Sequence, residues 1–209
     1  MNPDSRSGHA LAGTAAAVAL FMTGLCAAAA PPAASAGAAS VRLSAWPDAA
    51  PSPDFSLRDT TGMPRTLRSF RGYVTLVTFG YANCPAACSL ELHKLARAMH
   101  ALGPRSARVR IVFVTLDPAR DTPHALAHFV HSFDPAFVAL RGTARQTDEV
   151  TRRFSIENAR VPGNGTYFID HPVEEFVFDG GGRLRLVGAS ESTAEDIEHD
   201  LSLLLEQRR

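Results

Sequence analysis

Residues Tyr73–Leu95, YVTLVTFGYANCPAACSLELHKL, decide the fold. Tyr73 to Phe79 is apolar, rich in β-branched residues and uncharged, which predicts a buried central strand. A loop from Gly80 to Pro85 carries the first cysteine of the pair. From Ser89 to Leu102 the apolar residues Leu90, Leu92, Leu95, Met99 and Leu102 recur at mostly helical spacing, so a helix follows. The unit is therefore strand, cysteine loop, helix.

Working outward, Val109 to Leu116 reads as a second buried strand. Thr122 and Pro123 open another helix, with Thr122 as N-cap and Pro123 in the first turn, running to about Phe133. A short strand near Phe137–Leu140 and a helix over about Ala144–Phe154 come next. Strands follow at Thr166–Asp170, Glu175–Phe178 and Arg183–Val187, the last two joined by a turn at Gly180-Gly181-Gly182. A closing helix covers Ala194 to about Glu206. Upstream, Phe55–Leu57 and Thr66–Leu67 flank a turn around Asp59–Gly62, an opening β-hairpin. This order predicts an α/β fold: a central mixed sheet flanked by helices, with an N-terminal hairpin.

The chain has 209 residues, 21 basic and 21 acidic, with no long run of one sign. Nucleic-acid binding needs a basic footprint, and none is present. Nearly all the basic residues are arginine; Lys94 is the one lysine, which reads as base composition of the source genome.

Residues 1–38 read as a signal peptide or an N-terminal membrane anchor. Arg6 is the last fully charged residue before an apolar stretch over residues 10–30. Ala34-Ser35-Ala36 has the small-x-small shape of a cleavage site. The stretch also reaches the ~20 residues needed to cross a bilayer, so it can serve as a membrane tether. Lipidation at Cys26 is disfavoured by the bulky Leu25 before it. Each reading puts the body in the periplasm or on the extracytoplasmic face of the membrane. Residues 39–53 read as an Ala/Ser/Pro-rich tether, and residues 54–209 as the folded domain.

Of three cysteines, only Cys84 and Cys88 fall in that domain. Two are too few for a disulfide framework and suit a reactive or metal-binding pair. They sit where a strand gives way to a helix start, whose free N–H groups favour an anion. A thiol there is expected to titrate below the usual ~8.5. Two inert buried cysteines are the plain alternative.

Four blocks resemble the Sco/SenC family in order and spacing: the opening hairpin, the VTLVTFGYANCPAACSLELHKL segment, LDPARDTP at 116–123, and YFIDH at 167–171. The resemblance runs from about Phe55 to the C-terminus. It implies a thioredoxin-like fold, a membrane-tethered or periplasmic placement, and copper ligation by Cys84, Cys88 and His171. It also implies copper delivery to the binuclear site of cytochrome c oxidase, whose copper-site subunit is then the partner. Two positions depart from the family pattern. Ser89 stands where proline usually follows the second cysteine, and Pro172 follows the histidine where a small polar residue is common.

Two soft thiolates suit Cu(I), and an imidazole adds affinity for Cu(II). Zinc prefers a fourth ligand, and the sequence offers none. Asp170 stands where it can orient the imidazole of His171. Asp117, after the second strand, can tune the thiols or meet a client; a turn with Pro118 explains it equally well. Asp121 helps start the next helix. His124, His128 and His131 share one helix face, suited to a weaker second metal or to plain solvation. Met63 is a soft side chain in a loop.

Two functions compete. A metallochaperone, which is not an enzyme, uses all three ligands. An extracytoplasmic thiol–disulfide oxidoreductase, reducing the cysteines of a copper-site client, needs only a redox-active Cys84–Cys88 pair cycling through a disulfide. A peroxidase of the peroxiredoxin type would have threonine at position 81, where Tyr81 stands.

Overall fold

The structure is a computed structural model and describes residues 40–207. The reading of residues 1–38, Cys26 included, lies outside them. Ten strands form: β1 Ser44–Ala45, β2 Ser56–Asp59, β3 Pro64–Thr66, β4 Val74–Gly80, β5 Val109–Thr115, β6 Val138–Arg141, β7 Ala159–Gly163, β8 Thr166–Asp170, β9 Glu174–Phe178 and β10 Leu184–Ala189. The α-helices are α1 Ala87–Leu102, α2 Pro123–His131, α3 Ala144–Arg153 and α4 Ala194–Glu206.

Eight strands make one mixed sheet in the order β1-β10-β9-β4-β5-β6-β2-β3. Strand β4 lies near the centre, buried at every residue, as its uncharged apolar run requires. It pairs in parallel with β5 and antiparallel with β9. The opening hairpin joins the sheet through β2, antiparallel to β6.

Alternation along each strand sends side chains to two faces. On one face Phe79 and Phe176 close on Phe154, just past α3, with ring centroids 5.1 and 5.0 Å away. On the other, Phe113 of β5 meets Phe129 of α2 at 5.8 Å, and α1 packs against α4. Edge-to-face rings of this kind add specificity to plain apolar burial. The mixed sheet with helices on both faces is as the sequence order predicts.

The structure departs from the sequence reading at several elements. Strand β8 forms over the predicted residues but leaves the main sheet to pair with β7 alone. Strand β7 is almost wholly exposed and contains Pro162, so it carries no apolar alternation to read. Helix α1 starts at Ala87, ahead of Ser89, which puts Cys88 inside the helix.

The tether also needs correction. Within residues 39–53, β1 pairs with β10 and Leu43 is buried. The Asp200 carboxylate accepts the N–H groups of Arg42 at 2.9 Å and Leu43 at 2.7 Å. One apolar side chain and two captured amides are enough to fix a segment whose Ala/Ser/Pro content suggests a loose chain. No helix among the described residues is long and apolar enough to cross a membrane.

Candidate metal centre

Strands β4 and β9 run antiparallel, with Thr78 opposite Glu175. The end of β4 therefore lies beside the start of β9. The chain leaving β4 carries Cys84 and Cys88, and the chain entering β9 carries His171. This pairing closes a gap of 83 residues: Cys88 Sγ stands 4.0 Å from His171 Nε2.

Helices α2, α3 and α4 are each capped by a threonine side chain. Helix α1 has Ala86 at that position, which has no acceptor to offer. The Cys84 sulfur takes over, accepting the Cys88 N–H at 3.4 Å. An N-terminal amide is thus aimed at the sulfur and finds its acceptor there. Cys84 itself is half-buried, and both cysteines are free thiols.

Cys88 is 3% exposed. Burial pushes its thiol well above the usual range, and the neighbouring Cys84 and Asp121 add to the rise while the Tyr81 backbone opposes it. This corrects the expectation of a lowered value for a thiol at the helix start. Here desolvation of the anion outweighs the helix terminus. The sulfur fits only because residue 80 is glycine: a Cβ there would stand 2.7 Å from Cys88 Sγ and 2.9 Å from the Phe113 ring.

His171 Nδ1 lies 2.8 Å from the Pro172 carbonyl. A carbonyl only accepts, so Nδ1 carries the proton and the Nε2 lone pair faces Cys88. Burial also lowers the imidazole's pKa, against smaller opposing effects of Pro172 and Asp170, and so favours the neutral, ligating form. The role expected of Asp170 falls to the Pro172 carbonyl. Asp170 is exposed, sits opposite Ala159 in the β7–β8 pair, and acts on the imidazole only through its charge.

Bonds of zinc-like length, about 2.3 Å to sulfur and 2.0 Å to nitrogen at 110–120°, would put these two atoms about 3.5–3.7 Å apart. The 4.0 Å gap is a few tenths of an ångström wider. Among the described residues no three His, Cys, Asp or Glu side chains are already gathered for a metal.

Asp117 is fully buried, but its carboxylate turns to Arg120 and, at 2.7 Å, to the Tyr167 hydroxyl. Arg120 then donates to Thr166 Oγ1 and the Tyr167 carbonyl, both at 2.9 Å. The pair ties the 116–123 loop to β8, which leads to His171. Asp117 thus braces the histidine's strand and does not touch the thiols.

Asp121 does more than start a helix. Its Oδ2 accepts the Thr115 hydroxyl at 2.5 Å and the Ala82 N–H at 3.1 Å, holding the cysteine loop two residues before Cys84. Tyr81, 2% exposed, crosses the site: its hydroxyl accepts the Ile169 N–H at 3.2 Å, and its ring meets the imidazole edge-on. Neither role follows from a spacing rule. The one available signal for Asp121 is its place in the LDPARDTP block. Met63 is exposed in the β2–β3 turn and is no part of the site.

The SCO1/SenC family profile matches residues 46–206. The chain belongs to the SCO1/SenC family. An SCO2-like protein of Rickettsia conorii is 33% identical over 133 residues, 62% of this chain and 65% of that protein. A mitochondrial SCO2 homologue of Danio rerio is 36% identical over 133 residues, 62% of this chain and 48% of the relative. The chain thus spans about half to two thirds of these relatives' length. Bradyrhizobium japonicum ScoI, solved with copper bound, superposes with a TM-score of 0.67 at 30% identity, over 73% of this chain and 98% of that one. The fold is thioredoxin-like, as the resemblance implied.

Proposed function

We propose that this protein is an extracytoplasmic copper metallochaperone that binds copper through Cys84, Cys88 and His171. Its client is the copper-site subunit of cytochrome c oxidase, the partner implied by the family resemblance. One observation carries the reading. The Nε2 lone pair of His171, fixed by the Pro172 carbonyl, faces Cys88 Sγ at 4.0 Å, a few tenths of an ångström beyond the spacing of two ligands on one ion, with Cys84 at the same helix start. A thiol–disulfide exchanger needs only the two cysteines and leaves His171 without a required role.

Delivery asks for a site that loads and releases. Cys88 and His171 are two of the three ligands, and Cys84, half-buried on the loop before α1, is the third. Loading displaces the thiol protons, and the metal itself must offset the desolvated anion at Cys88. Oxidation of the pair to a disulfide would block loading, so redox state gates the cargo.

The test is Cu(I) titration against a competing chelator, comparing the reduced chain with Cys84→Ala, Cys88→Ala and His171→Ala. The expected result is one tight copper per chain, weakened by each substitution. Copper binding indifferent to His171 would leave the cysteines as a redox couple.

A further inference from the structure

Helix α2 carries His124, His128 and His131 within nine residues. Its start is fixed: Thr122 Oγ1 accepts the Ala125 N–H at 3.2 Å and Pro123 fills the first turn. Helical spacing therefore already applies at His124. His124 and His128 are i and i+4, with Cβ atoms about 5–6 Å apart. Two imidazoles at this spacing on one helix face can close on one metal ion, as in the H-E-x-x-H motif. Both residues are exposed, so neither ring is engaged in core packing.

Their position decides what the pair can do. His124 and His128 line one surface depression together with Ala82, Ser89, Phe129 and Phe133. Ala82 lies two residues before Cys84, and Ser89 directly follows Cys88. The cysteine segment and the histidine pair thus share one concavity. The Asp121 carboxylate, just ahead of α2, holds the Ala82 N–H and fixes the loop against the helix. His131 is not part of this lining.

We propose that His124 and His128 form a second copper site, a two-imidazole station for Cu(II) beside the thiols. Imidazole suits Cu(II), which heads the affinity order of the divalent first-row metals. With two protein ligands and the remaining positions open to water, the ion is held exchangeably. Hand-over to the thiol site, the part that rests on the delivery reading above, is ligand exchange. The bonds to His124 and His128 break, bonds to the Cys84 and Cys88 sulfurs and His171 form, and two thiol protons leave to solvent. Copper keeps its oxidation state throughout.

The test uses the full chain in detergent, carrying Cys84→Ser, Cys88→Ser and His171→Ala so that the thiol site is gone. Cu(II) alone is added and followed by electron paramagnetic resonance. The expected result is one bound Cu(II) whose spectrum shows two imidazole nitrogens. That signal is lost on adding His124→Ala or His128→Ala and kept on adding His131→Ala. Absence of the signal, its survival of both substitutions, or equal loss with His131→Ala would each overturn the proposal. Should the triple variant fail to fold by circular dichroism, the same spectrum is read on Cys84→Ser/Cys88→Ser with His171 retained. Failure of the delivery reading appears separately, as lost Cu(I) binding by the reduced wild-type chain.

Discussion

Gly80 shows how narrowly the buried ligand is seated. Its missing side chain leaves the space that Cys88 Sγ occupies, against the Phe113 ring. Gly80→Ala sets a methyl group against that sulfur at the end of a fully buried strand. Overpacking of this kind costs about 1–3 kcal/mol. The expected outcome is a lowered melting temperature together with weaker Cu(I) binding, since the displaced atom is one of the proposed ligands. Unchanged copper affinity in a destabilised Gly80→Ala protein would show that Cys88 is not one. At this scale the cysteines and His171 were legible because side-chain identity and four matching blocks mark them. The acceptor that fixes the histidine's tautomer was not, because a backbone carbonyl at Pro172 has no residue-type signature. Asp170 is the nearer carboxylate in sequence, yet strand pairing turns it outward.

Between elements, the link from α1 to β9 is a buried charge cluster. Lys94 Nζ lies 2.8 Å from Glu91 Oε2 and 2.6 Å from Glu175 Oε1. Two carboxylates share one ammonium, which leaves one negative charge too many in a desolvated place. Glu175 answers by holding a proton: burial first, then the charge of Glu91, push its pKa up to about 8 against the opposing pull of Lys94. Glu175 Oε2 and Glu91 Oε1 are buried and otherwise unpartnered. The folded chain thus keeps a proton that the unfolded chain releases near 4.5, so this contribution to stability is present below pH 4.5 and is lost as pH rises toward 8. Glu175→Gln removes the proton from the balance. Denaturant unfolding across that range should show a flatter pH dependence in the variant, and an unchanged slope would rule the shared proton out. Lys94→Met should be far more damaging, by about 3–5 kcal/mol, because it strands both carboxylates; urea unfolding measures it. This also revises the reading of the lone lysine. A compact ammonium fits between two carboxylates where the planar guanidinium fork of arginine is a poor match, and a count of basic residues cannot reveal that.

The whole molecule converts chain order into a site through one topological fact, the antiparallel seating of β9 beside β4. Periodicity located both strands but could not say that they were neighbours, since sheet order is settled by packing across long separations. The N-terminal edge follows the same rule. Residues 39–53 lack the apolar pattern of a strand, yet β1 closes the sheet because α4 supplies Asp200 from the far end of the chain. That carboxylate is fully buried and holds both captured amides. It therefore fixes the N-terminal edge of the described domain. Asp200→Ala strands the Arg42 and Leu43 N–H groups, a loss of about 1–3 kcal/mol where such groups are buried. Limited proteolysis should then cut after Arg42, a peptide bond protected in the wild type, and amide exchange should quicken over residues 42–46. Cu(I) affinity should stay at the wild-type value, because the thiol site is built from β4, α1 and the approach to β9. A drop in copper binding with Asp200→Ala would mean instead that the N-terminal edge and the site are one cooperative unit.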